Sequence, residues 1–223
     1  MKKALVLVLT VIMVFGVTIP AFAAEQTTIE DLANSVALNP IKTGCSELDA
    51  EVDKVLSGII SNNMTPYEKL VAVYNYCVLN FTYDYRNAAI SLKAVHAVSI
   101  EGKPLLDEIA NYEALTVLKN KIGVCDHYAA AFTVLANAVG FESHYLTGRL
   151  TWNSGASNGH SWSVIAFGQT YYIFDPQAEQ YNMRNGKVRY INFGKVTLYS
   201  SRYSAFSNVL ESSLARRKNI LSK

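Results

Sequence analysis

The chain has 223 residues, half of them hydrophobic and 17% charged; this composition excludes a disordered polypeptide and suits one domain with a sizeable core. Its 20 basic and 18 acidic side chains give a formal charge of +2, and without Lys2 and Lys3 the count is 18 against 18. Nothing global therefore points to nucleic acid, and the basic tail Arg216-Arg217-Lys218 reads as a solvated helix end.

In chain order, Lys2 and Lys3 precede an apolar run from Ala4 to Val17, broken only by Thr10 and Gly16 and followed by Pro20 and Ala21-Phe22-Ala23. This pattern reads as a secretory signal over residues 1–23, cleaved after Ala23. An uncleaved anchor is the competing reading, since the run nearly reaches the ~20 residues of a membrane helix. Cleavage implies a secreted protein with no stable membrane anchor, extracellular or cell-wall associated, or periplasmic where the source has an outer membrane.

A short helix is expected over Thr28–Ser35. A stronger one is expected over Ser46–Ile60, with Ser46 as cap and Leu48, Val52, Val55, Leu56 and Ile59 on one face. Thr65-Pro66-Tyr67-Glu68 is a capping box with proline at the first helical position, starting a helix that runs to about Asn80. Phe81–Tyr85 alternates like an extended segment. A helix over Asp107–Lys119 should turn Ile109, Leu115 and Leu118 inward. Another carries Tyr128, Ala131, Phe132, Leu135, Ala138 and Val139 at helical spacing and stops at Gly140. Beyond it, Glu142–Leu150, His160–Phe167, Thr170–Asp175 and Lys187–Tyr199 read as strands, with a loop over residues 153–159. Helices first and sheet second give an α+β fold with a mainly antiparallel sheet. Residues 24–60 form an N-terminal helical extension, 61–186 the core, and 187–223 strands and a tail completing the same domain.

The three cysteines are Cys45, Cys77 and Cys125. Cys77 lies on the apolar stripe of Leu70, Tyr74, Val78 and Phe81 and reads as a small buried hydrophobe. An oxidising compartment would also allow a Cys45–Cys77 bridge. Either way Cys125 is left over, in the first turn of a buried helix. Unpaired N–H groups and the helix dipole there favour thiolate, and the same groups can hold an oxyanion; the adjacent Asp126 opposes thiolate. No CxxC pair and no His-x3-His spacing supports zinc, and no cofactor is expected.

A thiol nucleophile needs a base, and the base an orienting partner. In "GHSWSVIAFGQTYYIFDPQ", Gly168-Gln169 suits a two-residue type II′ hairpin. Phe167 then pairs with Thr170, Trp162 faces Asp175, and His160 lies two residues from Trp162 on the same face. His160 and Asp175 become diagonal neighbours, ~7 Å apart at the backbone. A three-residue turn would flip Asp175 to the other face. The plainer readings are that Asp175 is a turn residue before Pro176 and that His160 is a loop-end histidine. Of the other histidines, His127 should face away from Cys125, His144 is the runner-up base, and His96 sits in a stretch that is hard to read.

"GVCDHYAAAF", "GHSWSVI" and "YYIFDPQ", in that order, resemble the transglutaminase-like superfamily, as do "EALTVLKNKIGVC" and "FTYDY", over roughly Thr65 to Tyr181. The resemblance implies a papain-like core in a secreted bacterial member, with Cys125 as nucleophile, His160 as base and Asp175 as orienter. It places Tyr83 at a frequently aromatic position, as a weaker candidate oxyanion donor, and Trp162 beside the site. The chemistry implied is acyl transfer on a protein or peptide substrate, including cell-wall-associated ones. Hydrolysis makes a peptidase or amidase, a lysine acceptor makes a cross-linking transglutaminase, and a binding domain that kept the fold without catalysis is a third reading.

Overall fold

The computed structural model describes residues 27–86, 106–198 and 200–205. The expected signal segment and its cleavage site, His96 and the basic tail lie outside them. Among the described residues no helix is long and apolar enough to cross a membrane. The described residues form six helices: α1 (Ile29–Ser35), α2 (Ser46–Ile59), α3 (Pro66–Asn80), α4 (Leu106–Asn120), α5 (Cys125–Val139) and α6 (Pro176–Asn182). Strands β1 (Thr82–Tyr83) and β2 (Ile122–Gly123) form a small parallel pair. Strands β3 (Ser143–Thr151), β4 (Ser157–Phe167), β5 (Thr170–Phe174), β6 (Phe193–Thr197) and β7 (Tyr203–Ala205) form an antiparallel sheet ordered β6-β5-β4-β3-β7. The α+β architecture follows from the sequence pattern.

The helix starts show why these residues fold this way. Thr65 accepts from the Glu68 N–H at 3.2 Å while Glu68 accepts from the Thr65 N–H at 2.8 Å, the expected box. Thr28 and Asp31 do the same for α1. At α2 the cap position is Cys45 rather than Ser46, with no side-chain bond. There Asp49 reaches back to the Thr43 N–H and hydroxyl, each at 2.8 Å, so the preceding loop is pinned instead. Helix α4 turns Ala110, Ala114, Val117 and Leu118 into the core, whereas Ile109 and Leu115 are only half-buried.

Helix α5 is the centre of the molecule. It packs on one face of the sheet, where Thr133 and Ser163 share a hydrogen bond at 2.8 Å and the Ser163 hydroxyl also donates to the Ala129 carbonyl at 2.9 Å. Gly140 ends the helix at φ +109°, and a Cβ there would meet the Asn39 backbone at 2.7 Å, so glycine is required. The other sheet face has its own apolar cluster of Leu146, Leu150, Trp162, Val164, Ile173, Ala178 and Tyr203. Covered on both sides, β4 is buried without a break from His160 to Ile165.

Two expectations for the sheet need correction. Strand β4 begins at Ser157, because residues 157–159 already pair with Thr151, Leu150 and Arg149, so the loop is shorter than the composition suggests. Of the segment expected as a strand over Lys187–Tyr199, the described residues form one over Phe193–Thr197, and Lys187–Asn192 are not part of it. Asn185, Gly186 and Tyr190 adopt positive φ, and the N–H groups of Arg189 and Asn192 donate to the buried Glu179 carboxylate, each at 2.8 Å, instead of to a ladder. A side chain four residues into the preceding segment thus takes the bonds that a longer strand would need.

Candidate active site

The β4–β5 hairpin brings His160 to Asp175. Ser163 pairs with Phe174, Val164 with Ile173 and Phe167 with Thr170, the register of a two-residue turn, and Gly168 takes φ +62°. His160 Nε2 lies 2.6 Å from Asp175 Oδ2, with both side chains buried. Strand β5 ends one residue before Asp175, which caps α6: its Oδ1 accepts from the Ala178 N–H at 2.9 Å, with Pro176 at the first helical position. Asp175 is therefore both the turn residue before proline and the partner of the imidazole. Trp162, fully buried, stacks nearly parallel to the His160 ring at 6.3 Å, and Trp152 meets that ring edge-on at 5.8 Å.

Cys125 is the first residue of α5 and is 2% exposed. Val124, at the cap, has no side chain able to take the first N–H groups; only its own N–H is bound, by His127 Nδ1 at 3.2 Å. His127 Nε2 is occupied by Glu113 at 2.8 Å, so this histidine does face away from the thiol. The glycine of "KIGVC" is explained by the same histidine: a Cβ on Gly123 would stand 2.5 Å from His127 Cγ. His144 pairs with Val164, four residues along β3 from the position opposite His160, about 13 Å away, and contacts Glu142 at 3.2 Å. It does not belong to this site.

The thiol's surroundings are mixed. Burial, followed by the negative charge of Asp126, pushes the Cys125 thiol well above its ordinary range, and Asp175 adds to the rise. The backbone N–H groups of Ser161 and Asp126 act the other way. Ser161 is the neighbour of His160 on β4. The thiol also donates weakly to Asp126 Oδ1 at 3.8 Å. So the helix end does not by itself hold a standing thiolate, as its position suggested; desolvation and one carboxylate outweigh it.

Asp126 is the feature that the sequence only half disclosed. It is fully buried and accepts from the Ser161 hydroxyl in a very short contact and from Tyr145 at 3.4 Å. Ser161 and Ser163, the small polar residues alternating in "GHSWS", are the signal for it, since they face α5. Tyr83 is placed by the β1–β2 pair, opposite Gly123. Its phenol is raised, first by burial and then by the charges of Cys125 and Asp126. Cys45 and Cys77 carry free thiols; Cys77 is fully buried, as the stripe implied.

The candidate site thus comprises the Cys125 thiol at the start of α5, the His160 imidazole on β4, held at Nε2 by Asp175, and the Asp175 carboxylate, fixed by a helix cap. No curated protein matches the chain. A solved structure described as "Putative Cysteine Protease from Cytophaga hutchinsonii" is similar at 17% identity and TM-score 0.39, over 72% of this chain and 45% of that one. A TGase structure is similar at 14% identity and TM-score 0.36, over 84% of this chain and 40% of that one. The chain spans less than half the length of either. The family model described as transglutaminase-like superfamily matches residues 53–176, more than half of the sequence, and the chain belongs to that superfamily.

Proposed function

We propose that the protein is a secreted cysteine hydrolase, a peptidase or amidase that opens peptide or isopeptide amides of extracellular or cell-surface proteins through a Cys125 thioester. The observation that carries this reading is the 2.6 Å contact between His160 and Asp175, beside Ser161, whose backbone favours thiolate at Cys125. Because the resting thiol is held neutral, His160 Nδ1 takes its proton as the sulfur attacks the carbonyl carbon. The oxyanion is received by the Cys125 N–H at the uncapped start of α5, with Tyr83 as candidate second donor. His160 returns the proton to the leaving nitrogen as the C–N bond breaks, and the acyl group stays on sulfur. Water, deprotonated by His160, then releases the carboxylic acid and restores the thiol. Asp175 holds the imidazole so that Nε2 carries the bound proton and stabilises the imidazolium.

A lysine amine in place of water would make the same thioester into a cross-link. Incubation with casein, with and without an added primary amine, separates the outcomes. New peptide termini or freed side-chain carboxylates without amine incorporation support the hydrolase. Amine incorporation with ammonia release supports the transglutaminase. Neither product from wild type, with Cys125→Ala as background, would leave the chain as a binding domain on this fold.

A further inference from the structure

The carboxylate of Asp175 is held by more than the imidazole and the cap. Its Oδ2, the oxygen bound to His160, also accepts from the Tyr203 hydroxyl at 3.0 Å. Tyr203 stands on the edge strand β7, beyond the residues that match the family model. It is 3% exposed, and its ring packs edge-on against Trp162 at 5.2 Å. The hydroxyl has one proton and two oxygens in reach, Asp175 Oδ2 and, at 3.3 Å, Asn192 Oδ1; the nearer, charged oxygen takes it. Burial and the Asp175 charge hold this phenol well above its ordinary range, so it remains a donor.

Asn192 stands behind Tyr203 and is itself buried, with its Nδ2 lacking an acceptor among the described residues. Turning that amide by 180° brings Nδ2 to the Tyr203 oxygen. Donation then runs one way, from Asn192 to Tyr203 to Asp175, and each bond strengthens the next. The Asn192 backbone is fixed to the same place: its carbonyl accepts from the Asp175 N–H at 3.0 Å, and its N–H donates to Glu179 at 2.8 Å.

We propose that Tyr203, backed by Asn192, is a positioning residue for the acyl-transfer site: its hydroxyl fixes the Asp175 oxygen that meets His160 and limits how strongly that oxygen holds the imidazole's proton. This rests on the reading of His160 as the base. Packing alone would need the ring and not the hydroxyl. Without the hydroxyl, Oδ2 keeps a single donor and becomes a stronger partner for imidazolium. His160 then keeps its proton to higher pH and yields it more slowly to a leaving amine. The charged and titratable groups around the pair are Cys125 and Asp126 on α5, Glu179 on α6, Tyr74 on α3, Tyr83 on β1 and Arg202 beside β7. Tyr203→Phe alters none of them.

The test is an NMR titration of the His160 ring in wild type and Tyr203→Phe, with casein turnover measured on both. The expected result is a midpoint raised by about half a unit to one unit, and kcat lowered about three- to tenfold at unchanged KM. Superimposable titrations would overturn the proposal. The titration reads the contact whether or not casein is turned over. An inactive wild type with a shifted Tyr203→Phe midpoint would therefore sink the proposed function and support the positioning contact.

Discussion

Two carboxylates, Asp126 at the start of α5 and Asp175 just after β5, are both fully buried and both raise the Cys125 thiol, yet they are held by different partners. Asp175 is tied to an imidazole, a helix cap and a tyrosine, so its charge is directed at His160, the proposed base. Asp126 is tied to Ser161 and Tyr145 and accepts a weak hydrogen bond from the thiol, so its charge disfavours thiolate at Cys125. Burial of a charge near a thiol therefore does not designate an orienting residue. The partner that the charge meets does.

The comparison breaks most sharply at Asp175. Asp175→Ala should lower kcat/KM about 10³- to 10⁴-fold, by analogy with loss of a triad carboxylate, and cost about 1 kcal/mol of stability as a lost helix cap. A fold-intact variant with less than about tenfold loss would show that the imidazole needs no orienter. Tyr83, whose phenol feels both carboxylates and the thiol, sharpens it next. Tyr83→Phe should cost about 10²-fold in kcat, the effect of removing one oxyanion donor, without slowing alkylation of Cys125. Equal losses in both assays would make Tyr83 a structural neighbour instead.

Asp126→Asn should act in the reverse sense. Removing the charge lowers the thiol pKa; for a drop of about one unit the thiolate fraction near neutrality rises about tenfold, and the weaker nucleophilicity of a more acidic thiol trims the gain in iodoacetamide labelling to about threefold. Slower labelling in a folded variant would reverse the role given to this carboxylate.

A separate effect is on stability against pH. Cys77, Cys125, Tyr74, Tyr145 and Tyr203 all have thiols or phenols raised by burial. Their unfolded counterparts lose protons first, near 9.0 for thiols and 10.0 for phenols. The stability these groups contribute is full below those values and declines as pH climbs past them, by about 1 kcal/mol per unit for each titrating group. Urea midpoints measured from pH 7 to 11 should hold steady and then drop above about pH 9. A flat profile to pH 11 would mean that these groups ionise as readily in the folded chain.

How much of this was legible in sequence follows from the range of the interactions. The Thr65 box, the stop at Gly140 and the Gly168-Gln169 turn are local, and the turn alone was enough to bring His160 to Asp175. The helix-end argument for Cys125 was local too, but it omitted desolvation, which only packing reveals. Tyr203, Asn192 and Glu179 could not be read, because their partners lie 10 to 28 residues away across strands whose bounds the pattern misplaced. The strand expected over Lys187–Tyr199 failed for the same reason: a buried Glu179 claims its N–H groups, and no periodicity records that.

The most direct test is the rate at which iodoacetamide modifies Cys125, mapped by mass spectrometry in wild type and in His160→Ala. If the imidazole takes the thiol's proton, wild type should react at least about tenfold faster at neutral pH. Equal rates in two folded proteins would mean that sulfur and imidazole do not work together, contradicting the account.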